Sequence, residues 1–277
     1  MKINIKKILN ILGIYLRENI IKKIFNILGS YKTDTTSNSE LKNLIQKLHP
    51  LNTNIELIRI GGENDGGYLI PNDFNGIEAL FSPGVGKLSL FENQCTELGM
   101  KVYMADKSVD GPLISNDNFL FYKKFVGATI TEDFITLDEM VRISQVNDST
   151  DLMLQMDIEG YEYETILNVS NKVLNRFRII VIEFHYLDLL FSKPVFDIYS
   201  SVFKKLLQNH ECVHIHPNNC CKPIKIGNIA IPPAMEFSFI RKDRISQKTP
   251  ATIFPHKLDT ECSDNKSSVV LPKCWHS

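Results

Sequence analysis

The sequence predicts a doubly wound α/β fold, a mostly parallel sheet with helices on both faces, from three observations. Near-continuous apolar runs alternate with amphipathic helical patterns from residue 77 onward, the mark of strands covered on both sides. Glycines and ionisable residues gather immediately after those runs, where sheets of this kind bind ligands. Near the end two strand-like runs are joined by a Pro/Gly-rich loop without a helical pattern, which predicts an antiparallel edge hairpin.

Residues 77–83 form a short apolar run ending in a glycine turn, a buried strand. Apolar residues at 88, 91, 95 and 98 make a helical stripe. Residues 101–106 read as the next strand, and 136–145 as a helix opened by Thr136 with Glu139 three positions on. The runs 151–157 and 178–185 are too apolar to be half exposed, and helical patterns follow them at 161–167 and 195–209. The closing pair is 211–216 and 235–242.

The composition fits one large domain with appendages: 277 residues, 43% apolar, 23% charged and a net charge of −1. This argues against a disordered chain and against a whole-surface nucleic-acid binder, so no nucleic-acid partner is expected. The boundaries drawn are a basic helical extension and linker over 1–40, a main domain over 41–245 and a polar tail or lid over 246–277. Six scattered cysteines do not form a disulfide framework and read as free thiols of a reducing, cytoplasmic compartment.

Within residues 1–30, six lysines and arginines oppose Glu18 alone, so this head carries +5 and the remainder −6. An eight-residue motif, Lys6-Lys7-Ile8-Leu9-Asn10-Ile11-Leu12-Gly13, recurs sixteen residues later with one difference. On one continuous helix the copies would sit about 160° apart, whereas two short helices bent near Gly13 would turn both apolar stripes one way. That leaves open a peripheral anchor on the inner, anionic face of a membrane and a cap packed on the body or on a second subunit of a homo-oligomer. The longest uncharged run there is nine residues, against the ~20 that span a bilayer, and no cleavage site of a signal peptide follows.

The chemistry-bearing residues sit where the fold places its crevice. Gly84-x-Gly86 lets backbone approach a ligand, and Asp106, twenty-two residues after Gly84, stands where a ribose diol needs an acceptor. Ser89 replaces the third glycine of the dinucleotide fingerprint, which disfavours a pyrophosphate and leaves adenosine. Asp157 ends a strand with no other interior charge, while Glu162 and Glu164 read as helix-start acids that need no function. Glu183 and His185 share one strand face, beside the strand that Asp157 ends. These three form an O/O/N set for Mg²⁺, Mn²⁺ or Fe²⁺, or else His185 is a general base with nothing bound. His214 and His216 share another face, and substrate contact by His216 is expected ahead of a structural metal.

The segment Gln155-Met156-Asp157-Ile158-Glu159-Gly160-Tyr161-Glu162 resembles the Asp-Ile/Val-Glu-Gly-x-Glu signature of the FkbM-type methyltransferases. Residues 59–69, 81–86, 105–106, 178–185 and 214–219 are similar to one branch of that family, in consistent order over about residues 55–243. The resemblance implies a class I, Rossmann-like methyltransferase fold, S-adenosylmethionine as cofactor, and O-methylation of a sugar or nucleotide sugar, as in polysaccharide assembly. It implies Gly84 and Gly86 under the cofactor, Asp106 on the ribose, and Asp157 beside the methionine portion and the acceptor. Ser82-Pro83 departs from the family's commoner acid before the glycines, so Asp65, with Gly66 in a glycine-rich loop, is the candidate for the methionine ammonium. The other readings are a non-catalytic scaffold of the same fold at the membrane surface and a nicotinamide-dependent sugar oxidoreductase.

Overall fold

The protein is described by a computed structural model over residues 34–276, except 64 and 87. The repeated basic head, and with it the anchor or cap expected there, lies outside the described residues. Among the described residues no helix is long and apolar enough to cross a membrane.

The chain begins with helix α1 (Asn38–Lys47), strand β1 (Leu51–Thr53) and the hairpin β2 (Leu57–Ile60) and β3 (Tyr68–Pro71). The alternating section follows: β4 (Ile77–Pro83), α2 (Leu90–Glu97), β5 (Lys101–Ala105), β6 (Phe119–Tyr122), and the short β7 (Phe125–Val126) and β8 (Phe134–Ile135). Next come α3 (Leu137–Ser144), β9 (Asp151–Met156), α4 (Glu162–Asn168), α5 (Asn171–Leu174), β10 (Phe177–Phe184) and α6 (Lys193–Asn209). The last part holds β11 (His210–Pro217), a small hairpin β12 (Ile224–Ile226) and β13 (Ile229–Ile231), then β14 (Met235–Arg241) and β15 (Lys248–Pro250).

Seven strands form the central sheet in the order β11-β14-β10-β9-β4-β5-β6. The five from β10 to β6 are mutually parallel, and β14 runs antiparallel between β10 and β11. The expected antiparallel pair thus closes one edge, with the later strand on its inner side. Strand order reverses at β4, whose two neighbours are β5 and β9, so the ligand crevice of such a sheet lies above β4.

Burial explains why the strands read as apolar runs. All eight residues of β10 are buried, and their alternation divides them between two cores. Ile180, Ile182 and Phe184 join the larger core with α1 and α3 to α6, while Ile179 and Val181 join a second one with β3 and α2. Each such side chain contributes roughly 1.5–3 kcal/mol of burial. The helix after β8 starts as its sequence indicates: Thr136 Oγ1 accepts the Glu139 amide at 3.2 Å, while the Glu139 carboxylate pairs with Arg142. All six cysteines are free thiols.

The polar tail is packed onto the domain. β15 pairs with β1, and Trp275 is fully buried with Nε1 donating to Ala230 O at 3.0 Å.

One polar cluster locks the opposite end of the sheet. Asp151, at the start of β9, accepts from Arg178 Nε at 2.7 Å and from Arg241 Nη1 at 2.6 Å. Burial alone would raise the Asp151 carboxyl, but the two guanidinium groups hold it below the ordinary range. Asp151→Ala leaves the buried Arg178 short of a partner and should cost about 3 kcal/mol in a urea melt. Because the folded-state value is depressed, this contribution is present above the unfolded carboxyl range and is lost as pH falls through the folded value. The gap between wild type and variant should therefore close on acidification.

Candidate active site

The crevice above β4 has two lobes that meet at Gly84 and Asp157, both of which line each of them. Gly84 closes the turn after β4 with φ +83°, and a Cβ there would lie 1.6 Å from the backbone oxygen of Asp157. Glycine is thus required for the ends of β4 and β9 to touch, with or without a ligand. Gly86 is different: a Cβ there would meet nothing within 4 Å and would stand at the wall of the first lobe. Gly86→Val should leave the melting temperature unchanged and weaken S-adenosylhomocysteine binding roughly tenfold or more in a calorimetric titration.

The second lobe, of about 260 Å³, is lined by the apolar side chains of Val126, Phe134, Ile158 and Tyr161 and by the acids Asp106, Asp157 and Glu159. Asp106 immediately follows β5, and only its Oδ1 is engaged, by the amide (2.7 Å) and hydroxyl (2.6 Å) of Ser108. A largely apolar slot with one Asp106 oxygen unengaged among the described residues suits a nucleoside: base in the slot, ribose hydroxyls on the acid.

The first lobe, of about 360 Å³, is polar along one wall, where Asp65, Tyr68, Glu92 and Gln155 face it. Gly61 and Gly67 are required by the loop's own packing, since a Cβ on either would fall within 2.4 Å of backbone oxygens, whereas Gly66 borders open space. Ser82 Oγ lies 2.6 Å from both Glu92 Oε1 and Gln155 Oε1. A hydroxyl has one proton to donate, so one of these contacts draws a proton from its partner. Burial raises the Glu92 carboxyl, which fits a shared proton there. The acid missing before the glycines therefore arrives from the first turn of α2, as Glu92. The methionine part of S-adenosylmethionine, with its ammonium and carboxylate, fits a lobe with two acids and two amide or hydroxyl donors. The two lobes are thus the candidate places for that cofactor's two halves.

Next to Asp157, at the waist where the two lobes meet, the site becomes strongly acidic, a chamber of carboxylates around His185. His185 follows β10, and its Nδ1 is 3.1 Å from Glu162 Oε1. Its Nε2 is 3.5 Å from Glu159, 3.7 Å from Glu183 and 3.8 Å from Asp157. Burial pulls the imidazole down, but the Glu162 hydrogen bond and the surrounding carboxylates outweigh it and push it up to about 9. The carboxylates around it thus favour the imidazolium form. Asp157 is raised well above the carboxylate range by burial and by Glu183, and its Oδ1 is buried without a hydrogen-bond partner. Ligand atoms of Asp157, Glu159 and His185 lie within 4.8 Å of one another, so these three could hold a divalent cation. Glu183 sits behind them and accepts from Asn218 Nδ2 at 2.6 Å.

Glu162 departs from its expected role as a plain helix-start acid. It is fully buried, and its Oε1 accepts the amides of Ile158 and Gly160 at 3.1 Å each while facing His185. It ties the 157–160 turn to the imidazole. Two further acids had no signal in the sequence. Glu236 is the cross-strand partner of both Glu183 and His216. Asp259 reaches in from the tail to His214 Nε2 at 2.9 Å and His216 Nδ1 at 3.4 Å. His216 is thus two strands away from His185 and borders neither lobe. Asp65, Gly66, Gly84, Gly86, Asp106 and Asp157 do line the crevice, while His185 and Glu183 line neither lobe and reach it only through Asp157, 3.8 Å from His185 Nε2.

The model of the methyltransferase FkbM domain matches residues 51–210. No curated protein matches the sequence. Among solved structures, a mutant of the 16S rRNA (adenine(1408)-N(1))-methyltransferase from Catenulisporales acidiphilia is similar at 10% identity and a TM-score of 0.26. That match covers 73% of this chain and 100% of the other, and at such similarity it carries no argument. The family model spans more than half of the sequence and both lobes of the crevice, so the chain belongs to the FkbM family of methyltransferases, which use S-adenosylmethionine.

Proposed function

We propose that the protein methylates a hydroxyl of a sugar, carried on a nucleotide or on a polysaccharide precursor, with a divalent cation held by Asp157, Glu159 and His185. The observation that carries this reading is the acid-rich chamber at the waist, where Asp157, Glu159, Glu183 and His185 face one another. Carboxylates and imidazoles are the natural partners of a polyhydroxylated acceptor, and a hydroxyl is a poor nucleophile at neutral pH unless a base or a cation lowers its pKa. When bound, S-adenosylmethionine supplies an electrophilic methyl group.

The chain's own residues do the rest. The slot with Asp106 would hold the adenosine half of the cofactor and the lobe with Asp65 and Glu92 its methionine half, with Gly84 and Asp157 lining both. Asp157, whose Oδ1 has no hydrogen-bond partner among the described residues, would accept from the acceptor hydroxyl or hold the cation beside it. Glu162 keeps the 157–160 turn and His185 in register. A divalent cation would take over the charge that the imidazolium now contributes, and His185 would ligate as the neutral base. Glu183, 3.7 Å from His185 Nε2, would then be the neighbouring carboxylate that takes the proton.

The test is methyl transfer from labelled S-adenosylmethionine to a panel of nucleotide sugars, with Mg²⁺, Mn²⁺ or Fe²⁺ and after chelation. Transfer that chelation reduces at least tenfold and metal restores supports the whole reading. Full turnover in chelator would remove the cation and leave Asp157 as the base. Transfer only to amines or carbon centres would remove the hydroxyl acceptor.

A further inference from the structure

The turn after β11 faces two places at once. Asn218 reaches back to Glu183 in the acidic chamber. Its neighbour Asn219 faces a separate pocket of about 610 Å³ between the turn 219–223 and tail residues 266–270. Asn219 also binds the two segments together, with Nδ2 donating to Ser263 O at 2.8 Å and Oδ1 accepting the Ser263 amide at 3.1 Å.

The lining of this pocket differs in charge from its surroundings. It contains Lys222 and Lys266, the hydroxyls of Ser267 and Ser268, and no carboxylate, on a body that carries net negative charge. Most lysines with resolved contacts elsewhere pair with acids, as Lys107 does with Asp133, Lys172 with Asp148 and Lys248 with Glu211. Lys222 makes no ion pair among the described residues, and Lys266 Nζ donates to Cys220 O at 3.0 Å instead of to an acid. Two uncompensated ammonium groups with hydroxyl donors between them attract a polyanion. The adjoining chamber, with five carboxylates at Asp157, Glu159, Glu162, Glu183 and Glu236, would repel one.

We propose that this pocket is a diphosphate subsite, which holds the phosphorylated end of the acceptor on Lys222 and Lys266 while its sugar enters the acidic chamber past Asn218. The proposal rests on the sugar-methylating reading and names where the carrier, which stays attached to the sugar, sits. Sugars are activated as diphosphates of a nucleoside or of a polyprenyl lipid, and the shared chemistry is the diphosphate. Division of labour follows from charge: cations for the carrier, acids for the hydroxyls.

The test is calorimetric titration of the full chain with inorganic pyrophosphate, uridine diphosphate and farnesyl diphosphate, each beside S-adenosylhomocysteine. Both lysines are exposed, so K222E/K266E should keep its fold and its S-adenosylhomocysteine affinity. Saturable pyrophosphate binding that falls at least tenfold in this variant, and weakens with added salt, is the expected result. Tighter binding of uridine diphosphate would identify a nucleotide carrier, and tighter binding of farnesyl diphosphate a lipid one. Protein that takes S-adenosylhomocysteine but no diphosphate, or whose diphosphate binding ignores the charge reversals, overturns the subsite. Lysine-dependent pyrophosphate binding without S-adenosylhomocysteine binding would keep the subsite and remove the methyltransferase reading.

Discussion

Asp157→Asn should lower methyl transfer roughly 10²- to 10⁴-fold, the range that a positioned base contributes, while the protein stays folded. The substitution keeps the shape of the side chain at the waist of the crevice and removes its ability to hold a proton or a hard cation. Its effect on stability should have the opposite sign to its effect on rate. Burial and the neighbouring Glu183 make the ionised Asp157 costly, so a neutral amide relieves repulsion among Glu159, Glu162 and Glu183. A raised folded-state value means that the wild type loses stability as pH rises from the unfolded carboxyl range through that value. The variant should therefore melt at an equal or higher temperature, with the difference growing toward alkaline pH. Turnover that survives the substitution would show that the acceptor is activated elsewhere.

The concentration of acids around His185 explains that trade. Glu162 is fully buried, and two backbone amides and an imidazole compensate only its Oε1, while its Oε2 is buried without a partner. Such groups persist because the turn they hold is needed, since each unpaired one costs on the order of 1–3 kcal/mol. Glu159 adopts a left-handed backbone at φ +56°, uncommon outside glycine, asparagine and aspartate, which turns its carboxylate toward His185. Local strain at Glu159 and buried charge at Glu162 thus meet in one short turn beside His185, as expected of a site that stability alone would not select.

The parts legible in the sequence are those governed by local rules. Continuous apolar runs gave the central strands, and the rule that ligands sit after parallel strands led to Gly84, Asp106 and Asp157, which line the crevice, and to His185 beside Asp157. The Thr136 cap was legible for the same reason, being a contact across three residues. β6 was not, because Phe119–Tyr122 is half-buried along its length and lacks the continuous apolar burial of the inner strands. Glu92 and Glu162 both sit in first helical turns, where an acid is ordinary, and only tertiary packing turns one toward Ser82 and the other toward His185. Glu236 could be found only through its register against Glu183 and His216, a pairing 53 residues apart for the first. Asp259 lies in a tail without periodicity, and its contact with two histidines depends on how that tail wraps.

The most direct test of the account is calorimetric titration of S-adenosylhomocysteine into the wild-type protein and into Asp106→Ala. Asp106 lines the apolar slot at the end of β5, and among the described residues its Oδ2 has no hydrogen-bond partner and can accept from a ribose hydroxyl. Loss of a hydrogen bond to a charged group costs about 1.5–3 kcal/mol, so the variant should bind roughly 10- to 100-fold more weakly while melting as the wild type does. Equal affinity in the two proteins would place the nucleoside somewhere other than this slot. Absence of binding by well-folded wild-type protein would contradict the donor site itself and leave a methyltransferase fold kept for another purpose.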